Sequence, residues 1–462
     1  MFKKMALNGC LMKSALNTHS YSLVLRRNNW AKNLTKREAK KAVVIDYVGE
    51  NAERTPIIYA WGSAASGALG IASYLRPDVK FKHGRFVISR INRPARVRFF
   101  DIHKLKPLDI ACGYGFTVVA VKVGSRKILL GTGMNTDSQL GYHEAPRGSG
   151  RVLDQLIEPG RIRLPLLKPD DCNVVTMDCG RAHTVVVVEK EGAFSLGNNA
   201  CGQCGRTIVD GEDYGKNQTV NKILGVPDDV VKVVCGQDHT LFLTQSGQVY
   251  SCGLGADGQT GQGHYRNTDR LMLVQGDLGG EKIVSIGSRG DCCLAVSENG
   301  DVFGWGNSEY GQLGLVTDET QVNVARHLPL KDCGKVVKAV AGGSQCALLN
   351  DQGQVFVWGY GILGKGPQLE MSTVPSRIPD PLFGRNELSP NTKVVDIHCG
   401  LTYLSAVTDQ GDVYTWGRDS QGCLGLGEYK NQFFPWKVVL PAEAIKLACG
   451  VDHVVALCRS FT

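Results

Sequence analysis

The sequence contains no hydrophobic run long enough to cross a membrane, and it lacks the common marks of a catalytic site. No stretch approaches the roughly 18 consecutive apolar residues that a spanning helix needs, so we expect a soluble or peripheral protein. No Gly-x-Ser-x-Gly elbow, P-loop or metal-binding helix occurs. Cys201 and Cys204 have no second pair at zinc spacing, which favours packing over zinc or redox chemistry. We therefore predict no catalytic residues, no metal and no cofactor.

Acidic residues are absent from Met1 to Arg37. The same segment carries eight basic side chains: Lys3, Lys4, Lys13, Arg26, Arg27, Lys32, Lys36 and Arg37. Apolar residues there fall on one helical face. A basic, acid-free, amphipathic N-terminus predicts a mitochondrial transit peptide, with a disordered basic tail as the alternative. We assign residues 1–45 to the transit peptide and a disordered linker, and we expect the protein on the matrix side of the mitochondrion.

Glycine is plentiful, with 56 residues, and its spacing divides the chain into repeats. The first signal is a cysteine or small residue before a short loop and an apolar strand, and its copies begin at Cys112, Cys179, Cys235, Ser288, Ala341, Cys399 and Cys449. The second is a pair of glycines, at Gly62/Gly70, Gly133/Gly141, Gly197/Gly205, Gly253/Gly261, Gly306/Gly314 and Gly417/Gly425, with a shortened copy from Trp358 to Gly364. The repeat cysteines are interpreted as small buried apolar residues in a reducing compartment. Seven copies of each signal indicate seven units.

Short strands are recognisable within a unit. Residues 230–234 alternate weakly, residues 240–244 form a buried run and residues 248–252 alternate again, with a Ser246-Gly247 hairpin turn between the last two. The repeat is longer than the roughly 40–45 residues of a WD40 blade and near the roughly 50 of a kelch blade. Four short strands per unit around an axis form a propeller blade. We predict an all-β, seven-bladed β-propeller over residues 46–462.

The order of the signals predicts how the ring closes. The chain opens with the second signal alone, at Ile57 to Gly62, and ends with the first alone, at Lys446 to His453. One blade is therefore expected to combine N- and C-terminal strands, because an open stack of blades would leave exposed sheet edges.

The repeat pattern resembles that of the regulator-of-chromosome-condensation family. The pattern consists of Cys-Gly-x-x-His-Thr, then Gly-x-Val-Tyr-x-Trp-Gly, then Gly-Gln-Leu-Gly, and the chain follows it from about residue 57 to its end. Two blades depart from it, at Ser288 to Cys292 and at Ala341 to Gln345. The transit peptide and strings such as Phe434-Pro435-Trp436 make the chain most similar to mitochondrial members of the family.

This resemblance implies two roles that need no acid–base chemistry. One is guanine-nucleotide exchange on a mitochondrial fusion dynamin-like GTPase. The other is membership of an RNA-associated module that matures the large mitochondrial ribosomal subunit, with its ribosomal RNA and assembly factors as partners. The resemblance places the GTPase on the loops after Cys-Gly, where Arg181, Asp238 and Asp452 are the matching candidates. The repeat histidines of these loops are expected to be structural and to bond neighbouring backbone.

The segment 71–106 is an unusually basic insertion. Its positive side chains are Arg76, Lys80, Lys82, Arg85, Arg90, Arg93, Arg96, Arg98, Lys104 and Lys106, against Asp78 and Asp101. Four phenylalanines, Phe81, Phe86, Phe99 and Phe100, are interleaved as stacking side chains are in nucleic-acid sites. Ribosomal RNA, anionic inner-membrane lipid and an acidic protein surface are candidate partners. The alternative is a solvated loop whose aromatic residues cap the barrel edge.

Three functions from different classes remain. The first is a non-enzymatic scaffold in mitochondrial ribosome assembly, and the second is an exchange factor. The third, an enzyme with a site in the propeller channel, is disfavoured because no nucleophile–base or metal constellation stands out. A protein scaffold at the inner membrane without exchange activity is the alternative to the first two. We expect a monomer, and no enzyme beyond a non-covalent exchange regulator.

Overall fold

The computed structural model describes residues 54–75, 87–145 and 151–461. The predicted transit peptide and linker at 1–45 lie outside these residues, as do Arg76, Lys80, Lys82 and Arg85 of the basic insertion. The described residues form seven four-stranded antiparallel sheets. Only two short α-helices, Ala72–Leu75 and Arg98–Ile102, and two 3-10 turns, Tyr214–Lys216 and Asp380–Phe383, accompany the strands in the described part.

Each sheet is one blade, and the blades are numbered from the one that joins the chain ends. The innermost strands of blades 1 to 7 are Glu443–Cys449, Lys106–Cys112, Val174–Cys179, Val230–Cys235, Ile283–Gly287, Val336–Ala341 and Val394–Cys399. The second strands are His453–Arg459, Phe116–Val123, His183–Val188, His239–Thr244, Cys292–Ser297, Gln345–Asn350 and Tyr403–Thr408. The third strands are Pro56–Ser63, Arg126–Met134, Gly192–Gly197, Val249–Gly253, Val302–Asn307, Val355–Tyr360 and Val413–Gly417. The outer strands are Arg90–Arg96, Gln155–Ile162, Asn221–Lys222, Thr268–Leu273, Gln321–Leu328, Met371–Arg377 and Gln432–Lys437.

The ring closes through blade 1, as the sequence predicted. Its two inner strands come from the C-terminus and its two outer strands from the N-terminal part of the chain. The pairing runs antiparallel from Pro56 opposite Arg459 to Gly62 opposite His453. Because this seam is an ordinary ladder of backbone hydrogen bonds, the two chain ends hold the propeller together without a covalent link.

The hydrophobic core is divided among the seven blade interfaces. Each interface has its own cluster of buried side chains, contributed by both neighbouring blades. The four largest fully buried side chains are the tryptophans Trp61, Trp305, Trp358 and Trp416. They lie near the ends of the third strands, where they pack on the glycine turn of the preceding blade. Because every interface is built in a similar way, the regular spacing of the glycines was enough to predict the number of blades.

Candidate functional site

One end of the ring carries the loops in which the sequence placed a partner site. These seven loops, here called the Cys-Gly face, are residues 113–115, 180–182, 236–238, 289–291, 342–344, 400–402 and 450–452. The third strands end at the same face, because Gly253 pairs with His239 and the other blades repeat this register. In blade 1 the third strand ends and the outer strand begins at this face, because Ser63 pairs with Arg90.

The three candidate GTPase-contacting residues all lie on the Cys-Gly face, and each of them contacts another side chain of the propeller. Arg181 of blade 3 forms a two-pronged ion pair with Asp238 of blade 4, with N···O distances of 3.1 and 2.6 Å. Asp238 is only 5% exposed, and burial raises the pKa of its carboxyl. Asp452 lies 3.3 Å from Nδ1 of His453. Arg181 is the most exposed of the three, with 56% of its side chain exposed.

The repeat histidines join neighbouring blades. Nε2 of His183 lies 3.1 Å from the Thr240 hydroxyl of the next blade, and Nε2 of His453 lies 3.0 Å from that of Thr117. Burial lowers the pKa of His183 to about 3 and that of His239 to about 4, so both rings are neutral at physiological pH. The expected structural role is confirmed, but the expected backbone partner is wrong: the ring nitrogen meets a side-chain hydroxyl of the next blade.

The described C-terminal part of the basic insertion forms a strand and a helix rather than a solvated loop. Residues Arg90–Arg96 form the outer strand of blade 1, and Arg98–Ile102 form a helix beside it. Arg96 donates two hydrogen bonds to Asp101, at 2.8 and 3.0 Å, and so contributes little free charge. The side chains of Arg90, Arg93 and Arg98 are exposed, and the Arg90 guanidinium lies 4.3 Å from the centre of the Tyr429 ring.

The stacking role suggested for the phenylalanines is wrong for the two that the structure describes. Phe100 is buried in the cluster between blades 1 and 2, and Phe99 packs against that cluster. Their rings meet edge to face at 5.7 Å. They therefore cap the barrel edge, which was the alternative interpretation, whereas Phe81 and Phe86 lie outside the described residues.

A glycine follows the inner strand in six blades, and in five of them a ring at the start of the second strand leaves no room for a side chain. A Cβ at Gly236 would lie 2.0 Å from the His239 ring, and one at Gly400 would lie 2.0 Å from the Tyr403 ring. Blade 5 lacks such a ring, because Cys292 occupies that position. The space is therefore open for a side chain, and Arg289 stands where the other blades have glycine.

Arg289 reaches across the channel mouth at the Cys-Gly face. Its Nη1 donates hydrogen bonds to the carbonyl oxygens of Cys112 in blade 2 and Cys179 in blade 3, at 3.1 and 2.7 Å. Its Nη2 lies 3.7 Å from Asp178, whose carboxylate also accepts from the backbone N–H of Cys235. The side chain is only 10% exposed. One arginine thus ties blade 5 to the far side of the ring and narrows the channel.

The channel wall is made by the inner strands, whose alternate residues face the axis. One repeat position, three residues before Cys112 and its equivalents, carries most of the charge: Lys446, Asp109, Thr176, Lys232, Ser285, Lys338 and Asp396 in blades 1 to 7. Lys446 pairs with Asp109, and Lys338 pairs with Asp396. This ring was not predicted from the sequence, although a charged residue recurs at one fixed distance before the repeat cysteine in most blades.

The described residues contain neither a metal-binding cluster nor a membrane-spanning helix. Across residues 54–75, 87–145 and 151–461, no three His, Cys, Asp or Glu side chains come together as a metal would require. None of the helices in that part of the chain is long and apolar enough to cross a membrane. Cys204 is buried in the leucine position of its turn, as the packing interpretation expects, whereas Cys201 is only partly buried.

These features define a closed repeat propeller that presents rigid loop faces and a polar channel. A family model described as the RCC1-like domain matches residues 57–456, and the chain belongs to that family. The family and the seven-bladed fold predicted from the repeat are both confirmed.

Two curated relatives match nearly the whole chain. The "RCC1-like G exchanging factor-like protein" of Mus musculus is 46% identical over 444 residues, covering 94% of this chain and 96% of the relative. The protein of the same name from Homo sapiens is 47% identical over 420 residues, covering 90% of each.

Solved structures agree on the fold. The crystal structure of human WBSCR16 has a TM-score of 0.82 at 46% identity and covers 88% of this chain and 100% of that one. Prp20p from Saccharomyces cerevisiae has a TM-score of 0.68 at 18% identity, covering 89% and 93%, and at this identity it shares the fold alone.

Proposed function

We propose that this chain is a mitochondrial matrix protein that acts through non-covalent contacts, as a guanine-nucleotide exchange factor for a dynamin-like GTPase of mitochondrial fusion. The observation that carries the exchange role is the 46–47% identity, over nine-tenths of the chain, to relatives named as G exchanging factor-like. The acid-free basic N-terminus supports the location.

The Cys-Gly face supplies the surface for this role. An exchange factor accelerates nucleotide release by binding the nucleotide-free GTPase more tightly than the loaded one. Such differential binding needs a rigid surface. Contacts between blades, such as the ion pair of Arg181 with Asp238, restrict the motion of the loops at this face. Arg181 then presents a positive charge to an acidic switch region, and Asp238 acts through it as a positioning residue rather than by touching the partner.

Release of labelled GDP from the purified dynamin-like GTPase tests the exchange role. We expect the propeller to accelerate release in proportion to its concentration, and Arg181→Gln to reduce that acceleration several-fold. Glutamine keeps an N–H donor for Asp238, so the fold is preserved. Lys190→Gln is the matched control, because Lys190 is exposed in the same blade at the opposite end of the ring. Release that is unchanged by stoichiometric propeller at several Mg²⁺ concentrations would exclude exchange.

A second role in large-subunit ribosome assembly is supported by the exposed arginines of blade 1. Arg90, Arg93 and Arg98 lie on one strand and the helix that follows it, inside the basic insertion. Phosphate groups bind such surfaces with release of counterions, so the affinity for RNA falls as salt rises. We propose that this edge contacts the large-subunit ribosomal RNA or an assembly factor that carries it.

A salt titration of binding to large-subunit ribosomal RNA tests this second role. We expect a linear dependence of log affinity on log salt, and a slope reduced by about 0.7–0.9 for each phosphate that Arg90→Glu or Arg98→Glu no longer binds. Lys190→Glu reverses a remote charge and should leave the slope unchanged. An affinity that survives both arginine reversals refutes the proposed RNA surface. If this test and the exchange test both fail, the alternative of a protein scaffold at the inner membrane stands.

A further inference from the structure

The charged ring inside the channel is not balanced. Five of its seven positions carry a charge, as three lysines and two aspartates. Each aspartate lies one blade after a lysine and pairs with it, so Lys446 and Lys338 are neutralised by Asp109 and Asp396. The third lysine, Lys232 in blade 4, has Ser285 at the same position of the next blade, where the other two lysines have an aspartate.

Lys232 has no ion-pair partner among the described residues. The nearest acidic groups in the channel are already engaged: Asp178 lies beside Arg289 and accepts a backbone N–H, and Asp396 contacts Lys338 as well as His398, the latter at 3.1 Å. The ammonium of Lys232 is exposed to the channel space, which it lines with Lys338 and Lys446. Burial in the ring, and then the positive charges of those two lysines, lowers the pKa of Lys232.

A hydroxyl donor accompanies this ammonium. Thr176 occupies the same ring position in blade 3, and its Oγ1 accepts a hydrogen bond of 3.2 Å from the backbone N–H of Val233. Because a hydroxyl both accepts and donates, Thr176, which lines the channel, still has an O–H to donate. The channel has a volume of about 390 Å³, within the range of about 300–1,000 Å³ in which small-molecule sites fall.

We propose that the channel is a binding site for a small oxyanion of the phosphate class, with Lys232 as the principal ligand and Thr176 as a hydroxyl donor. The anion would supply the negative charge that the ring lacks at blade 5 and relieve the repulsion between Lys232 and the two paired lysines. Inorganic phosphate and a small phosphomonoester share this chemistry. The channel volume leaves room for either. This site is independent of the exchange and RNA roles, since neither uses the channel wall.

Thermal unfolding in phosphate-free buffer with added ligand tests the proposal. We expect the Tm of the full chain to rise with the logarithm of the concentration of inorganic phosphate, because a ligand that binds only the folded state stabilises it by mass action. The Lys232→Met variant should weaken the apparent affinity at least about tenfold, and Lys232→Arg should retain it. Glycerol 2-phosphate in a parallel titration distinguishes an ester ligand from the free ion.

The direction in which Lys232→Met shifts the Tm in the absence of ligand distinguishes an anion site from a solvated lysine. Without ligand, Lys232→Met should raise the Tm, because it removes an unpaired charge from the ring. Lys393→Met is the matched control: Lys393 is exposed outside the channel, and its replacement should leave the phosphate response unchanged. The proposal is overturned if the wild-type protein responds to neither phosphate compound, or if Lys232→Met responds as the wild type does.

Discussion

The strongest quantitative prediction concerns Arg289 and Cys292, the pair that breaks the repeat in blade 5. Blades 1, 3 and 4 have a histidine where blade 5 has Cys292. In these three blades a Cβ on the glycine three residues earlier would lie 2.0–2.6 Å from the imidazole. Restoring histidine alone, as Cys292→His, therefore forces a ring against the Arg289 side chain. Restoring glycine as well, as Arg289→Gly with Cys292→His, rebuilds the arrangement of the neighbouring blades.

The magnitudes follow from the contacts. Overpacking by Cys292→His should cost about 3 kcal/mol of unfolding free energy, at the upper end of the usual range. Arg289→Gly removes two charge-assisted hydrogen bonds, each worth about 1.5–3 kcal/mol. Water entering the widened mouth can hydrate the freed carbonyls, so we expect a net loss of about 2–4 kcal/mol. The double variant should be about 2 kcal/mol more stable than the sum of the single effects predicts.

Guanidinium unfolding followed by tryptophan fluorescence measures all four proteins of this double-mutant cycle. The two replaced residues are three positions apart and share one space, so the interaction energy should clearly exceed the scatter of independent sites. If the single effects add to within about 0.5 kcal/mol, the two positions are independent and the steric explanation of the repeat glycine is refuted. A control cycle of Arg289→Gly with Lys393→Met should be additive.

Three further predictions test the ring itself. Deleting residues 446–462 removes the inner strands of blade 1 and should abolish cooperative unfolding by heat; a truncated chain with an unchanged melting curve would contradict closure. His183 and His239, with pKa values of about 3 and about 4, bind protons more weakly in the folded than in the unfolded chain. The stability that these neutral rings contribute should therefore be complete above pH 6.5. It should fall as the pH drops toward 4, and each histidine should then lower the free energy of unfolding by about 1.4 kcal/mol per pH unit. The variant His183→Gln should show a shallower dependence of the free energy of unfolding on pH. The indole N–H of Trp305 donates to the Gln259 carbonyl at 2.8 Å, whereas the indole N–H of Trp416 has no partner within the described chain. In denaturant unfolding, Trp305→Phe should therefore lower the free energy of unfolding by about 1 kcal/mol more than Trp416→Phe does.

The fold was largely predictable because its determinants are local. Hairpin glycines and buried apolar runs recur in register, and they located the first three strands of a blade to within a residue or two: residues 230–234 were expected where the structure has Val230–Cys235. The outer strands escaped because they are half-exposed and irregular. The outer strand of blade 1 lies inside the predicted basic insertion, and three of the seven residues of Arg90–Arg96 are arginines. Only the pairing of this segment with the third strand identifies it as a strand.

The site was less predictable, because its contacts join residues far apart in the chain. Arg181 and Asp238 are 57 residues apart and were proposed separately as partner contacts, yet they pair with each other. Arg289 contacts a carbonyl 177 residues away. Its departure from the repeat was visible in the sequence, but its bonds to Cys112 depend on the diameter of the ring. The sequence shows that the turn after Trp358 is shortened. It does not show that Trp416, in the next blade, therefore lacks an acceptor for its indole N–H.

A ring of near-identical blades cannot by itself hold a unique ligand, because each side chain at the axis would be repeated seven times. A distinct site therefore requires positions at which the repeat is broken. Blade 5 is broken twice: it has arginine where the others have glycine, and serine where a carboxylate would balance Lys232. The first change narrows one mouth of the channel and the second leaves a positive charge inside it. Both changes act on the same space, so blade 5 alters both the charge balance of the channel and the access to it, while the remaining blades keep the ring closed.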